Sequence, residues 1–299
     1  MIDFAASLQT SGDPVYVYDG AKGTFLNPLL DNPSIPTDWL NIIKPDKVEA
    51  AIKAYVDAGS QMVQTNTFCA NTARLGQSGL ATRTYDINLF GAQIAIRATN
   101  GLVYVAGDIG PTGVFHVDQG GDFTTKQFIE AYEPQVQGLI DGGVHLIHIE
   151  TMMSLIELQI VIETVRAINP SIPIIATMTF SRNPRGEFRT LMGVQPSQLI
   201  TLSDQYGILA RGANCGMGPE GADILVEQLR GNNPNAILVM KLNAGLPIII
   251  KEKTVYPATP SEMATHALLM KELGVRIIGT CCGSSPAYIE AIANALAKR

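Results

Sequence analysis

Eight short β-rich runs alternate with eight helix-like segments along this chain, and few folds accommodate that pattern. The runs fall at 15–18, 62–65, 103–106, 146–149, 174–178, 209–213, 237–241 and 276–279. Helical patterns occupy 45–58, 85–99, 125–141, 155–168, 196–205, 219–230, 260–273 and 286–297. Strands that alternate with helices pair in parallel, and eight such units close into a barrel with the helices outside. The sequence therefore reads as an α/β protein, a (β/α)8 TIM barrel. A length of 299 residues admits two domains of ~150 residues, yet α/β barrels run to ~250 residues as one unit. No linker interrupts the alternation, so residues 1–299 read as a single domain, with the stretch before Val15 as a lead-in or cap. Thr259-Pro260-Ser261-Glu262 and Ser285-Pro286 mark helix starts, because proline suits a first helical turn. Pro134 should kink or shorten the third helix.

The connections are lopsided. Helix-to-strand links are tight, as at Gly142-Gly143 and Leu273-Gly274, whereas the strand-to-helix links at 68–84, 107–124, 179–195 and 242–259 are long. Long loops at the carboxyl ends of barrel strands form the face where barrel enzymes keep their sites. The residues at those ends are polar: Asp19-Gly20, Asn66-Thr67, Asp108, Glu150-Thr151, Thr179, Asn214-Cys215, Lys241 with Asn243, and Cys281-Cys282.

Charge and composition remove several function classes. The net charge is -6 with no basic run, which disfavours nucleic acid, whose phosphates need lysine and arginine patches. Apolar residues make up 46% and charged residues 16% of the chain, enough to build a large core. No signal-peptide pattern opens the chain, and no apolar stretch reaches the ~18 residues of a membrane span. The expectation is a soluble cytoplasmic protein. Its four cysteines do not look like a disulfide framework.

Three of those cysteines suggest a metal. Cys281 and Cys282 are adjacent at the end of the eighth run, and Cys215 ends the sixth. Alternate strands of a barrel end roughly 10 Å apart, at ~4.8 Å per strand. Side chains leaning inward can then share one ion at Zn–S distances of ~2.3 Å. Thiolates favour zinc over magnesium or calcium, which prefer oxygen. No fourth cysteine or histidine stands beside the three. Cys69 follows the second run and should lie across the mouth, and His116 has no supporting spacing. The pattern points to a zinc ion with one open position, against a closed structural site or buried inert thiols. Three thiolates leave zinc a mild Lewis acid, and a substrate thiol in the open position would keep the nucleophilicity needed to attack a methyl group.

Two carboxylates face the same mouth. Asp19 ends the first strand and Glu150 the fourth, and together they could bind the ammonium of an amino-acid substrate. His148 shares parity with Glu150 and reads as a hydrogen-bonded core histidine. Gly20-Ala21-Lys22-Gly23 and Gly110-Pro111-Thr112-Gly113 do not match a phosphate loop. They suit close approach of backbone to substrate.

With these residues placed, the chain resembles the homocysteine S-methyltransferase family. The matching pieces are Asp19-Gly20-Ala21-Lys22-Gly23-Thr24, Thr65-Asn66-Thr67-Phe68, Gly107-Asp108-Ile109-Gly110-Pro111-Thr112-Gly113, Ile149-Glu150-Thr151, Ala213-Asn214-Cys215, Asn243-Ala244-Gly245 and Cys281-Cys282-Gly283. They run in family order over nearly the whole chain. The resemblance implies a zinc ion held by Cys215, Cys281 and Cys282, with homocysteine sulfur in the open position. It implies a substrate pocket of Asp19, Gly20, Glu150, Asn214 and Asn243. The Gly110-Pro111-Thr112 stretch looks most like the homocysteine domain of cobalamin-dependent methionine synthase. That likeness implies a methyl donor such as methylcobalamin, a corrinoid carried on a separate partner protein, or else a small methylated metabolite. Four features depart from the family pattern: Gly279-Thr280 where two glycines are usual, Lys22 at an apolar position, Cys69 in place of glycine, and a compact acidic loop from Gly113 to Thr124. Lys22 near the mouth would favour an anionic substrate group.

These readings converge on a zinc-dependent S-methyltransferase that converts homocysteine to methionine. Two rivals stand beside it: a corrinoid-linked methyltransferase acting on another methylated metabolite, and a non-catalytic zinc- or thiol-binding barrel.

Overall fold

The computed structural model describes residues 4–8, 14–32, 34–231, 233–250 and 253–297. Eight parallel strands form one sheet: β1 (Tyr16–Val17), β2 (Met62–Gln64), β3 (Tyr104–Ile109), β4 (Leu146–Met152), β5 (Ile174–Met178), β6 (Ala210–Asn214), β7 (Leu238–Leu242) and β8 (Ile277–Thr280). Each pairs with its sequence neighbour, and β8 returns to β1 with Tyr16 opposite Ile277. The remaining gap between β1 and β2 is bridged by Tyr18 and Met62. Asp19 N–H donates to the Met62 carbonyl at 3.1 Å and Gln61 N–H to that of Val17 at 2.7 Å. The sheet is therefore a closed barrel without a free edge, the fold expected from the alternation.

Eight helices follow the strands: α1 (Pro45–Asp57), α2 (Thr84–Thr99), α3 (Thr125–Asp141), α4 (Leu155–Ile168), α5 (Pro196–Gln205), α6 (Ala222–Arg230), α7 (Pro260–Glu272) and α8 (Pro286–Ala297). They pack by apolar stripes at helical spacing. In α1 the buried face is Val48, Ala51, Ile52 and Tyr55. A capping box of Thr259 and Glu262 starts α7, as the sequence pattern requires.

Two expectations need correction. Pro134 does not shorten α3, which runs unbroken for 17 residues. The buried face on both sides of the proline, Phe128 and Tyr132 before it and Val136 and Leu139 after it, holds the helix across the missing hydrogen bond. The sixth helix begins at Ala222 rather than at Pro219, because Gly221 is left-handed with φ 75° and no helix propagates through that conformation.

Strand alternation separates two environments. Ile147 and Ile149 face the helices within the main core, whereas Leu146 joins the barrel interior. The interior is apolar at the amino-terminal end, where Phe4 and Leu8 of the short helix Phe4–Leu8 pack against Tyr18, Met62, Tyr104, Leu146 and Ile277. The described part of the lead-in is thus a plug; residues 1–3 and 9–13 lie outside the described residues. Toward the carboxyl end the inward positions become polar, with Gln64, Asp108, His148, Glu150, Thr177, Asn214 and Lys241 all buried. Two long loops carry antiparallel ribbons, Ser181–Arg182 with Phe188–Arg189 and Ile248–Ile250 with Lys253–Val255. No helix among the described residues is long and apolar enough to cross a membrane.

Candidate metal and thiol site

Cys215, Cys281 and Cys282 meet at the barrel mouth. Cys215 Sγ lies 2.8 Å from Cys281 Sγ and 3.5 Å from Cys282 Sγ. Backbone geometry brings them together. In a regular strand Asn214 and Cys215 would face opposite sides. Cys215 instead adopts φ 56°, a left-handed conformation uncommon outside glycine. The turn breaks the alternation, so consecutive residues both serve the mouth. Cys215 N–H still donates to the Lys241 carbonyl at 3.2 Å. Cys281 N–H donates to the Leu242 carbonyl at 2.7 Å, and Cys282 N–H to Asn243 Oδ1 at 3.1 Å. The strand between the two cysteine-bearing strands, with Asn243 just after it, therefore fixes all three cysteine backbones.

The donor set fits a soft ion. All three sulfurs lie within 4.8 Å of one another, and the edge of a tetrahedron with Zn–S of ~2.3 Å is about 3.8 Å. All four cysteines are free thiols. Hydrogen bonds from Cys215 and then Cys281 hold the Cys282 thiol down to about 3, whereas those with Cys215 and Cys282 push Cys281 well up. Binding an ion would take all three as thiolates and release the thiol protons. His116 is remote from this chemistry: its Nε2 pairs with Thr125 Oγ1 at 3.1 Å and its ring stacks on Phe128.

Below the sulfurs lies a buried charged layer. Asp19 is fully buried and pairs with both Lys22 and Lys241. Its Oδ2 also accepts the Gln64 N–H at 2.9 Å. Lys241 donates to Gln64 Oε1 and sits 4.0 Å from the centroid of the Tyr18 ring. Gln64 passes the connection on, donating through Nε2 to Glu150 Oε2 at 2.8 Å. Burial pushes Glu150 up, opposed by Lys241 and by the Gln64 hydrogen bond. Burial and then Glu150 push Asp108 well up, and its buried Oδ1 has no hydrogen-bond partner among the described residues. Burial also lowers Lys22, more than Asp19 raises it. His148 is held well below its usual value by burial and then by Lys241 and Lys22. It bonds Tyr18 Oη at 3.1 Å and Thr177 Oγ1 at 3.0 Å, a neutral core histidine as expected.

A cavity of about 420 Å³ joins the two layers; Gly20, Lys22, Asp108, Glu150 and the three cysteines all line it. Gly20 has no room for a side chain. A Cβ there would stand 2.6 Å from Ser284 Oγ and 2.8 Å from Thr280 Oγ1. The unusual Thr280 fills this space and donates to Ser284 Oγ at 2.9 Å. Asn214 and Asn243 hold the frame. Asn214 Oδ1 accepts from Thr151 N–H at 2.8 Å and Thr177 Oγ1 at 2.7 Å, while its Nδ2 donates to Thr151 Oγ1 at 2.7 Å. Cys69 lies in the outer part of the cavity, where its N–H donates to Asp38 Oδ1 at 2.8 Å and Arg74 reaches its sulfur at 3.6 Å.

Sequence reasoning assigns no role to Gln64 and leaves Asp108 and Lys241 among the strand-end polar residues. The signal that marks them is parity: each is a polar residue at an inward position of an otherwise apolar strand.

Comparison with known proteins agrees with this geometry. A family model described as homocysteine S-methyltransferase matches residues 16–296. Methionine synthase of Mycobacterium tuberculosis is 31% identical over 300 residues, which cover 95% of this chain and 25% of that protein. Methionine synthase of Mycobacterium leprae is 29% identical, with 97% and 25% covered. The chain thus spans about a quarter of the length of these curated relatives. Among solved structures, the metallated homocysteine methyltransferase MmuM from Escherichia coli superposes with a TM-score of 0.78 at 21% identity, covering 96% of this chain and 98% of that one.

Proposed function

From the premise that the chain belongs to the homocysteine S-methyltransferase family, we propose that it is a zinc-dependent enzyme that methylates the sulfur of homocysteine to give methionine. The observation that carries this reading is the convergence of three cysteine sulfurs, from the ends of β6 and β8, on a cavity with an acidic wall. Cys215, Cys281 and Cys282 would hold the ion. Zinc bound there would supply Lewis acidity that favours the thiolate form of the acceptor.

The remaining work belongs to the chain's own residues. Glu150 and Asp108 line the cavity and take the acceptor's ammonium; the unpartnered Asp108 Oδ1 gains a donor when they do. Asp19 positions the wall rather than gripping substrate, because both its oxygens are bonded within the protein. Asn214 and Asn243 fix the strand ends that carry the cysteines. Held this way, the acceptor sulfur faces the open mouth. Its lone pair forms the S–CH3 bond as the donor leaves with the electrons of its own bond to methyl, and the thiol proton passes to solvent. Orientation supplies much of the acceleration. The donor arrives from outside the barrel, as a methyl-corrinoid on a separate protein or as a small methylated metabolite.

The test is methionine formation by the zinc-loaded protein from homocysteine with methylcobalamin, S-methylmethionine or betaine, alongside zinc X-ray absorption. Turnover with one donor, and one added sulfur at zinc with homocysteine, are expected. An unchanged sulfur count and no turnover would leave the non-catalytic barrel as the better reading.

A further inference from the structure

Two buried ammonium groups converge on one carboxylate in this site. Lys241 is 2% exposed and Asp19 not at all, while Lys22 is the outer member at 9% and lines the cavity. Asp19 can neutralise only one of them. Glu150 sits beyond Gln64, bonded to it at 2.8 Å. A buried charge without full compensation is costly, and an ammonium carries three donors. The Lys22 stem is held in place, with its Nζ 5.7 Å from the centroid of the Tyr55 ring and the Tyr55 hydroxyl bonded to the Ala21 carbonyl at 2.8 Å. The cavity is therefore polarised. Its lining carries both signs: Lys22 on the one hand, Glu150 and the unpartnered Asp108 Oδ1 on the other.

We propose that Lys22 is a specificity-determining binding residue that takes the carboxylate of the acceptor thiol, while the acidic pair takes its ammonium. The inference rests on the thiol-acceptor reading above and adds to it. The site selects a thiol by the acid group on its carbon chain, which gives Lys22 an anion besides the Asp19 carboxylate that it shares with Lys241. An acceptor without an acid group leaves Lys22 facing empty cavity. An acceptor without an ammonium keeps the Lys22 contact.

Three thiols test this on the zinc-loaded full chain by calorimetric titration: homocysteine, 4-mercaptobutyrate (no ammonium) and 3-aminopropane-1-thiol (no carboxylate). The wild type should bind 4-mercaptobutyrate ~10-fold or more tighter than 3-aminopropane-1-thiol. Lys22→Met should weaken homocysteine and 4-mercaptobutyrate by ~10-fold or more and leave 3-aminopropane-1-thiol within about twofold. Lys22→Arg should restore the preference for the acid-bearing thiols, and Lys22→Gln serves if the methionine variant does not fold. Equal effects of Lys22→Met on all three thiols, or none on any, overturn the proposal while leaving the thiol-acceptor reading intact. Failure of every thiol to bind the wild type overturns both.

Discussion

Asn243 accepts the backbone N–H of Cys282 at 3.1 Å, so the residue after β7 holds one cysteine of the cluster in its turn. Partners of this kind orient ligands without touching the metal, and their loss typically costs ~10–100-fold in affinity. Asn243→Ala should therefore weaken zinc binding by about that factor while the barrel stays folded. Competition with a chromophoric chelator measures it, and wild-type affinity in the variant would show that the turn is held by other contacts.

Removing a ligand should do more. Cys281→Ser should lower metal affinity by more than ~100-fold, beyond the effect of an outer partner. Methionine formation should disappear with the metal. Far-ultraviolet circular dichroism should not change, because the cysteines stand at the mouth and outside the apolar core. Full turnover by a metal-free variant would exclude the mechanism.

The contact between Gly20 and Thr280 predicts a stability coupling. Gly20→Ala places a methyl group against Ser284, Thr280 and Tyr55, at 2.6, 2.8 and 3.0 Å. Overpacking of this kind costs about 1–3 kcal/mol. Thr280→Gly removes one of the obstructing atoms, so the double variant should recover part of the loss. Urea unfolding of the four proteins gives the coupling energy, and strict additivity would mean that the two residues do not share this space.

Asp38, buried beside Cys69 in the same cavity, predicts a pH dependence. Burial raises its carboxyl to about 7, against about 3.9 in an unfolded chain. Between these values the folded protein keeps the proton and the unfolded chain has lost it. The contribution to stability is therefore complete below about pH 4 and falls as pH rises to about 7, by at most about 1.4 kcal/mol per pH unit. Asp38→Asn removes this dependence. The stability difference between wild type and variant should slope across that window and level off above it; a constant difference would mean that Asp38 does not titrate there.

The barrel was legible because its signal is local. Ile174–Met178 is apolar at four of its five positions and follows a clear helical pattern, and the strand is found there without change. The cysteines were legible through their chemistry, since few arrangements other than a shared soft ion explain Cys281-Cys282 beside a strand end. The Asp19–Lys241 pair was not legible. The two residues are 222 positions apart, and their contact depends on how barrel closure sets β1 against β7 across β8. Without that register, Asp19 reads as a carboxylate free to grip an ammonium, and Lys22 as an isolated departure. Asn214 and Asn243 were read as pocket residues, but their bonds were hidden for a related reason: the partners, Thr151 and Thr177 for Asn214 and the Cys282 N–H for Asn243, come from other strand ends. Pro134 shows the reverse, a strong local signal overruled by the buried faces on either side of it.

The placement of the cysteines also sets an order of events during synthesis. Cys215 and Cys281 are 66 residues apart, and the later one follows the last strand of the barrel. When Cys215 leaves the ribosome it has no companion, and it gains two only after β8 has entered its slot between β7 and β1. A nascent chain therefore carries only one of the three cysteines over the 66 residues that separate Cys215 from Cys281. Metal capture then doubles as a record that the barrel has closed, and a barrel whose last strand has not docked would fail to load.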